Sequence, residues 1–225
     1  MRTYEDYLKL NIPEQFGCTD GSDAIVDDSI YDQLDSETET YFGITQFVIV
    51  DPDLDEVIKI PFNGTEECIY GDNSNDDEYV FEYFDIDYTV RAMELYEKVE
   101  KAGFSIFLSK MTKIGSTENG VPVYRQEYTT PIADSSSPEI PSEDSIKKVE
   151  KAVKKSREEG SWKWRNFHEN WLASAVDFYG YDMVSKFLDY IAEQQKLGYF
   201  DDLHSGNYGW RRDGSPAILD WAGYL

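Results

Sequence analysis

The chain is poor in thiols and imidazoles: its 225 residues include two cysteines, Cys18 and Cys68, and two histidines, His168 and His204. Two cysteines make no disulfide framework and point to reduced thiols in a cytoplasmic protein. Two histidines are too few for a His-built metal centre. Positive charge is scarce as well. Twenty-one Lys and Arg stand against 45 Asp and Glu, a net charge of −24. That argues against binding nucleic acid through its phosphates, which needs basic surface. It suits a basic protein partner, mimicry of a nucleic acid, or plain solubility. No apolar run approaches the ~20 residues of a membrane span. The start, Met1-Arg2-Thr3-Tyr4-Glu5-Asp6, lacks the apolar core of a signal peptide. No internal repeat and no metal-thiolate spacing is found. What the chain does have is a composition 40% hydrophobic and 15% aromatic, enough to bury a core.

The most informative stretch lies near the C-terminus, Phe200-Asp201-Asp202-Leu203-His204-Ser205-Gly206-Asn207, followed by Ala217-Ile218-Leu219-Asp220-Trp221-Ala222-Gly223. Residues 207–210 read as a strand, Arg211-Arg212-Asp213-Gly214-Ser215 as a turn with a strong Asp-Gly signal, and residues 217–219 as the return strand. Such a hairpin places Asn207 and Asp220 side by side at its open end. The plain alternative is an acidic, Gly-containing turn without chemistry.

An Asp, an Asn five residues on and a further Asp after a short strand resemble the catalytic core of the protein-kinase-like superfamily. The Asp-Leu-His-x-Gly-Asn form is similar to small-molecule kinases and to short phage-encoded kinase-like proteins. The resemblance implies an α+β, two-lobed fold: an antiparallel-sheet N-lobe with one main helix, and a reduced helical C-lobe. It implies ATP and Mg²⁺ as cofactors, Asp202 as the group that accepts the substrate hydroxyl proton, and Asn207 and Asp220 as metal ligands. On this plan residues 1–128 hold an N-terminal extension and the N-lobe, 129–141 a hinge or linker, and 142–225 the reduced C-lobe.

The N-terminal half is read against that plan. Residues 1–28 are acidic and mixed, an extension packed on the first lobe. Strands are expected over residues 29–34, 44–51 and 56–61. In the last, Lys59 interrupts an apolar run, where an unpaired cation is costly to bury. The resemblance makes Lys59 the phosphate-binding lysine; the plain alternative is an edge-strand Lys facing water. Phe42-Gly43 stand 17 and 16 residues before Lys59, where the family's phosphate loop ends in an aromatic-Gly pair. The segment before them, Ser36-Glu37-Thr38-Glu39-Thr40-Tyr41, lacks the glycines that let backbone N–H groups approach phosphates. Glu37 and Glu39 repel a nucleotide unless they point away.

Residues 62–78 read as a polar insert, and 78–87 suits strand or helix. From Asp87 a helix follows, with Tyr88, Ala92, Leu95, Val99 and Ala102 on one stripe and Gly103 as its stop. Glu94 is the candidate partner of Lys59 on this helix, against an exposed-face Glu. Residues 104–113 and 121–128 form a hairpin across Asn119-Gly120, and its end, with Gln126 and Tyr128, is by resemblance the hinge whose backbone meets adenine. In the second part, Ser142 caps a helix with Glu143 and Asp144 in its first turn. That helix carries Lys147, Lys148, Lys151, Lys154, Lys155 and Arg157, a solvated face or a partner-docking one. Two more helices follow, residues 161–179 with Trp164, Phe167, Trp171, Ala175 and Phe178 as a core stripe, and residues 182–197 with Met183, Val184, Phe187, Leu188 and Ile191.

The pattern departs from the family in three places. Phe200 stands where a His is usual, Asp220-Trp221-Ala222 replaces Asp-Phe-Gly, and with Leu225 as the last residue no activation loop or later C-lobe helices are expected. Two functional classes follow. One is an ATP- and Mg²⁺-dependent phosphotransferase acting on a hydroxyl of a protein, a host protein included, or of a small molecule. The other is a catalytically weak, pseudokinase-like interaction protein that occupies a basic host partner through its acidic surface.

Overall fold

Branched and aromatic apolar residues crowd Gln46–Asp51 and Glu56–Pro61, the composition of strands. The computed structural model describes residues 3–12, 28–34, 38–42, 46–51, 54, 56–61, 68–71, 78–81, 85–132, 139–165, 167–200, 203 and 205–221. Its strands are β1 (Glu39–Phe42), β2 (Gln46–Asp51), β3 (Glu56–Pro61), β4 (Cys68–Gly71), β5 (Glu78–Phe81), β6 (Met111–Ser116), β7 (Pro122–Glu127), β8 (Thr130–Pro131), β9 (Tyr208–Trp210) and β10 (Pro216–Ile218). Its helices are α1 (Tyr4–Leu8), α2 (Asp85–Lys101), α3 (Glu143–Glu158), α4 (Glu169–Tyr179) and α5 (Tyr181–Gln195). The protein is thus α+β. It divides into two units, residues 1–93 with 111–127 and residues 94–110 with 128–225.

The first unit is built on a five-stranded antiparallel sheet in the order β1-β2-β3-β7-β6. Phe47 lies opposite Ile60, and Ile49 opposite Ile58. These side chains fill one face together with Val121 and Val123, and Tyr7, Leu10, Ile12 and Ile30 cover them. Each such apolar side chain contributes about 1.5–3 kcal/mol when fully buried. Polar contacts hold the N-terminal stretch in place. The Tyr7 hydroxyl donates to the buried Asp51 carboxylate, which also accepts the Leu54 N–H at 3.0 Å. The Tyr4 hydroxyl donates to Glu56 Oε2 at 2.5 Å and accepts from Arg125 Nη1 at 2.6 Å. Leu8 packs on Gly115, where an added Cβ would lie 2.9 Å from its Cδ1.

Residues 29–34, expected as a strand, fall in a 3-10 helix, Asp28–Gln33. Ile30 is the one fully buried side chain described in it. A tight turn delivers that side chain to the core and sets Tyr31 edge-on to Phe47 at 6.2 Å. The polar insert contributes a strand, β4, which pairs with β5 in a hairpin of its own. Residues 104–113 are not one strand: Ser105–Phe107 form a 3-10 turn before β6 begins.

In the second unit α3, α4 and α5 pack beside a small antiparallel sheet, β10-β9-β8. Ser142 Oγ caps α3 by accepting the Ser145 N–H at 3.2 Å. Asp177 of α4 accepts from Ser142 N at 2.6 Å, Ser142 Oγ at 2.7 Å and Ser145 Oγ at 2.7 Å, tying the two helices. The expected helix over 161–179 starts only at Glu169. Its aromatic approach docks ring by ring, Trp164 on Tyr181 at 5.1 Å and Phe167 on Trp171 at 6.3 Å. Aromatic residues lose side-chain freedom in a helix, so such a run is easily drawn out of one. Phe178 and Met183, expected in the core, are exposed around the Gly180 turn between α4 and α5.

Candidate active site

The hairpin read from the sequence is present. Tyr208 pairs with Ile218, Gly209 with Ala217 and Trp210 with Pro216. One step further the Leu219 N–H donates to the Asn207 carbonyl at 2.8 Å. Asn207, last residue of a 3-10 turn Ser205–Asn207, and Asp220, next after Leu219, therefore leave the same open end of the hairpin. Both are half-buried. The amide oxygen of one and the carboxylate of the other are hard oxygen donors, the set that suits Mg²⁺.

At the closed end the chain turns at Asp213-Gly214, with Gly214 at φ 81°. Asp213 Oδ1 accepts the Ser215 hydroxyl at 2.6 Å and N–H at 2.9 Å, and these bonds hold its carboxyl below the ordinary value. Arg211 secures the turn from outside. Its guanidinium donates to the carbonyls of Leu108 at 2.8 Å, Ile106 at 3.1 Å and Pro216 at 3.2 Å, and to the Tyr179 hydroxyl at 3.0 Å. From the side, β8 approaches so closely that a Cβ on Gly209 would stand 2.4 Å from the Thr130 carbonyl oxygen.

Phe200 carries the least expected feature. It is fully buried and its φ is 57°, the left-handed region. Non-glycine residues adopt it rarely, and strain of this kind gathers at functional sites. Three contacts hold it. Its N–H donates to the Trp221 carbonyl at 3.2 Å, its own carbonyl accepts from Gln195 Nε2 at 2.7 Å, and its ring is enclosed. The residue before Asp201-Asp202 is thereby bound to the residue after Asp220. Trp221 is itself buried against Tyr96 of α2, ring centroids 5.9 Å apart. Nothing in the sequence signals Phe200's conformation or the role of Gln195. The Arg211 contacts had a faint cue in the Arg-Arg-Asp-Gly turn.

The other candidates fall as follows. Asp202 lies outside the described residues, as does Gly43. Phe42 ends β1, opposite Phe47. Lys59 is 8% exposed and sits on β3 opposite Val48 and Tyr124. It therefore faces away from the Ile58 and Ile60 core, on the face that also carries the buried Tyr124 and Gln126. Tyr128 follows β7 and is half-buried. Glu94 lies on the exposed side of α2, and its negative charge helps raise the Lys98 ammonium pKa, which the Tyr199 hydroxyl at 2.9 Å raises most.

The segment 36–41, read as a loop, is strand from Glu39 on. The register Glu39–Val50 and Val50–Val57 puts Glu39 on the same sheet face as Lys59. It does not point away. Among the described residues no group of three or more His, Cys, Asp or Glu forms a metal cluster. No helix among them is long and apolar enough to cross a membrane. Comparison with family models, curated proteins and solved structures returns no match.

Proposed function

We propose that the chain is a kinase-like phosphotransferase that uses ATP and Mg²⁺ and acts on a protein or small-molecule hydroxyl in the cytoplasm. One observation carries this reading: the hairpin that brings Asn207 and Asp220 to a common end, with the strained Phe200 tied to Trp221 behind it. A plain turn has no need of a left-handed phenylalanine. Under this reading Asn207 and Asp220 hold the metal, Lys59 binds phosphate oxygens, and Asp202 orients the acceptor hydroxyl and takes its proton. Bound Mg²⁺ would neutralise charge on the phosphates. The order of parts agrees with it: a lysine on the third strand of an antiparallel sheet, a long helix, a hairpin, then the helical unit.

A second reading, a kinase-like interaction protein with weak or no transfer, draws on Glu39. A carboxylate on the Lys59 face opposes a triphosphate.

Two measurements separate them. A ligand that binds only the folded state stabilises it by about 2.7 kcal/mol at 100 times its dissociation constant. ATP with Mg²⁺ should therefore raise Tm, and Asp220→Ala should abolish the metal-dependent part. Asp202→Asn should keep that shift yet lose about 10²–10⁴-fold in transfer of labelled phosphate. Absence of any shift at millimolar nucleotide refutes nucleotide binding. A shift without transfer in the unmodified chain favours the second reading.

A further inference from the structure

Asp220 is held from both sides. Before it, the Leu219 N–H donates to the Asn207 carbonyl at 2.8 Å; after it, the Trp221 carbonyl accepts the Phe200 N–H at 3.2 Å. The first bond extends the β9–β10 ladder and draws on local pairing. The second depends on Phe200 staying at φ 57°, where a non-glycine residue persists only when its surroundings over-determine it. The backbone angles at Phe200 describe how its two flanking peptide planes are set, and each plane is tied. The N–H of one meets Trp221, and the carbonyl of the other accepts Gln195 Nε2 at 2.7 Å. Gln195 is the last residue of α5. The chain beyond it is turned by Gly198 at φ 79°, whose N–H donates to the Gln195 carbonyl at 3.1 Å. The half-buried Gln195 side chain therefore reaches from a fixed backbone to a residue further along the chain.

We propose that Gln195 is a positioning residue for the metal-binding end of the hairpin. By holding the Phe200 carbonyl it keeps Phe200 left-handed, and through the bond from Phe200 to Trp221 it keeps Asp220 at the end it shares with Asn207. The assignment rests on the phosphotransferase reading, in which Asn207 and Asp220 hold Mg²⁺. The residue type fits the task. A Gln amide donates to a carbonyl oxygen, a Glu carboxylate of the same length only accepts, and a Met of similar length has no N–H to offer. Groups that orient a metal ligand without touching the metal commonly matter about 10–100-fold to metal affinity. Gln195 stands further back, acting through two backbone bonds, so its effect lies at or below the lower end of that range.

The test compares the full chain with Gln195→Met, which keeps the length of the side chain, and with Gln195→Glu. Both readouts are taken well below Tm. By NMR, hydrogen exchange at the Phe200 N–H should quicken about fivefold or more in each variant, while the Leu219 N–H, bonded to Asn207, is unchanged. The Mg²⁺-dependent part of ATP affinity, titrated at matched ionic strength, should weaken about five- to tenfold with Met and further with Glu. ATP binding without Mg²⁺ should not change with Met. A merely structural bond would lower Tm and leave the affinity of the folded chain as it was. Faster exchange at Phe200 with unchanged Mg²⁺-dependent affinity therefore overturns the positioning role. So does unchanged exchange at Phe200, whatever the affinity does. If the unaltered chain shows no Mg²⁺-dependent ATP binding, the phosphotransferase reading fails and this role fails with it; exchange at Phe200 then decides alone whether Gln195 holds that residue.

Discussion

A phenylalanine in the left-handed region costs about 1–2 kcal/mol, a cost that glycine does not bear. Phe200 at φ 57° therefore yields a comparison that separates its ring from its backbone. Phe200→Ala loses the buried ring and should cost about 3–5 kcal/mol. Phe200→Gly loses the same ring but relieves the backbone, so it should be more stable than the alanine variant by about 1 kcal/mol. The usual order, alanine above glycine, would show that the left-handed conformation is not held in solution. Urea midpoints decide it. Asp177 gives a second test at this scale. Burial pushes its carboxyl up, but the Ser142 N–H and the Ser145 and Ser142 hydroxyls together hold it below the ordinary value. A depressed folded value means that the contribution is full above the unfolded pKa of about 3.9 and disappears as pH falls through the folded one. Because Asp177 is exposed, solvent screening limits the effect to about 1 kcal/mol. Asp177→Asn should be less stable than the parent at neutral pH, and the two denaturation midpoints should converge as pH falls through the lowered folded value.

Among the elements, the β9–β10 hairpin is the one most open to a local test. Gly209→Ala places a Cβ 2.4 Å from the Thr130 carbonyl oxygen and 2.8 Å from Thr129 Cγ2. Backbone cannot yield as a side-chain tip does, so the variant should lose about 1–3 kcal/mol. If Gly209→Ala is neutral in thermal melts, β8 does not pack on β9 as described. The hairpin was legible in advance because its signals are local: an Asp-Gly turn flanked by apolar residues. α3 was legible for the same reason, with Ser142 as its cap, and so were β3 and the stop of α2 near Gly103. Failures came where tertiary packing overrode pattern. Residues 161–168 have the aromatic spacing of a helix, yet Trp164 and Phe167 each find a ring to stack on. Residues 36–41 read as a loop through their resemblance to a phosphate loop, yet pairing with β2 makes the last three of them strand. Spacing in the sequence was enough to bring Asn207 and Asp220 to the same end of the hairpin. Phe200's backbone and its bond to Gln195 were invisible, because a dihedral set by long-range contacts leaves no mark in composition.

At the scale of the whole molecule the governing quantity is the net charge of −24. The basic helix α3 does not offset it at long range, because most of its cations are already engaged nearby. Lys148 meets Asp144 at 2.6 Å, Lys147 meets Glu143 at 3.2 Å, Arg157 meets Glu169 at 3.6 Å and Lys155 meets Glu159 at 3.7 Å. Exposed pairs of this kind contribute little, and salt weakens them. Salt also screens the repulsion among the excess carboxylates, with a Debye length of about 10 Å at 0.1 M and about 3 Å at 1 M. The two effects oppose each other. Repulsion acts among many more charges than those few pairs, so its relief should win. Raising NaCl from about 0.02 M to about 0.5 M is expected to stabilise the fold by about 1–2 kcal/mol, a rise in Tm of roughly 2–8 °C for a chain of this size. A fall in Tm over that range would mean that the local pairs outweigh the repulsion. The same screening bears on nucleotide binding, since millimolar Mg²⁺ stabilises any acidic chain without occupying a site. Titrations with ATP and Mg²⁺ must be matched in ionic strength by NaCl. Only the excess shift that Asp220→Ala removes counts as ligand.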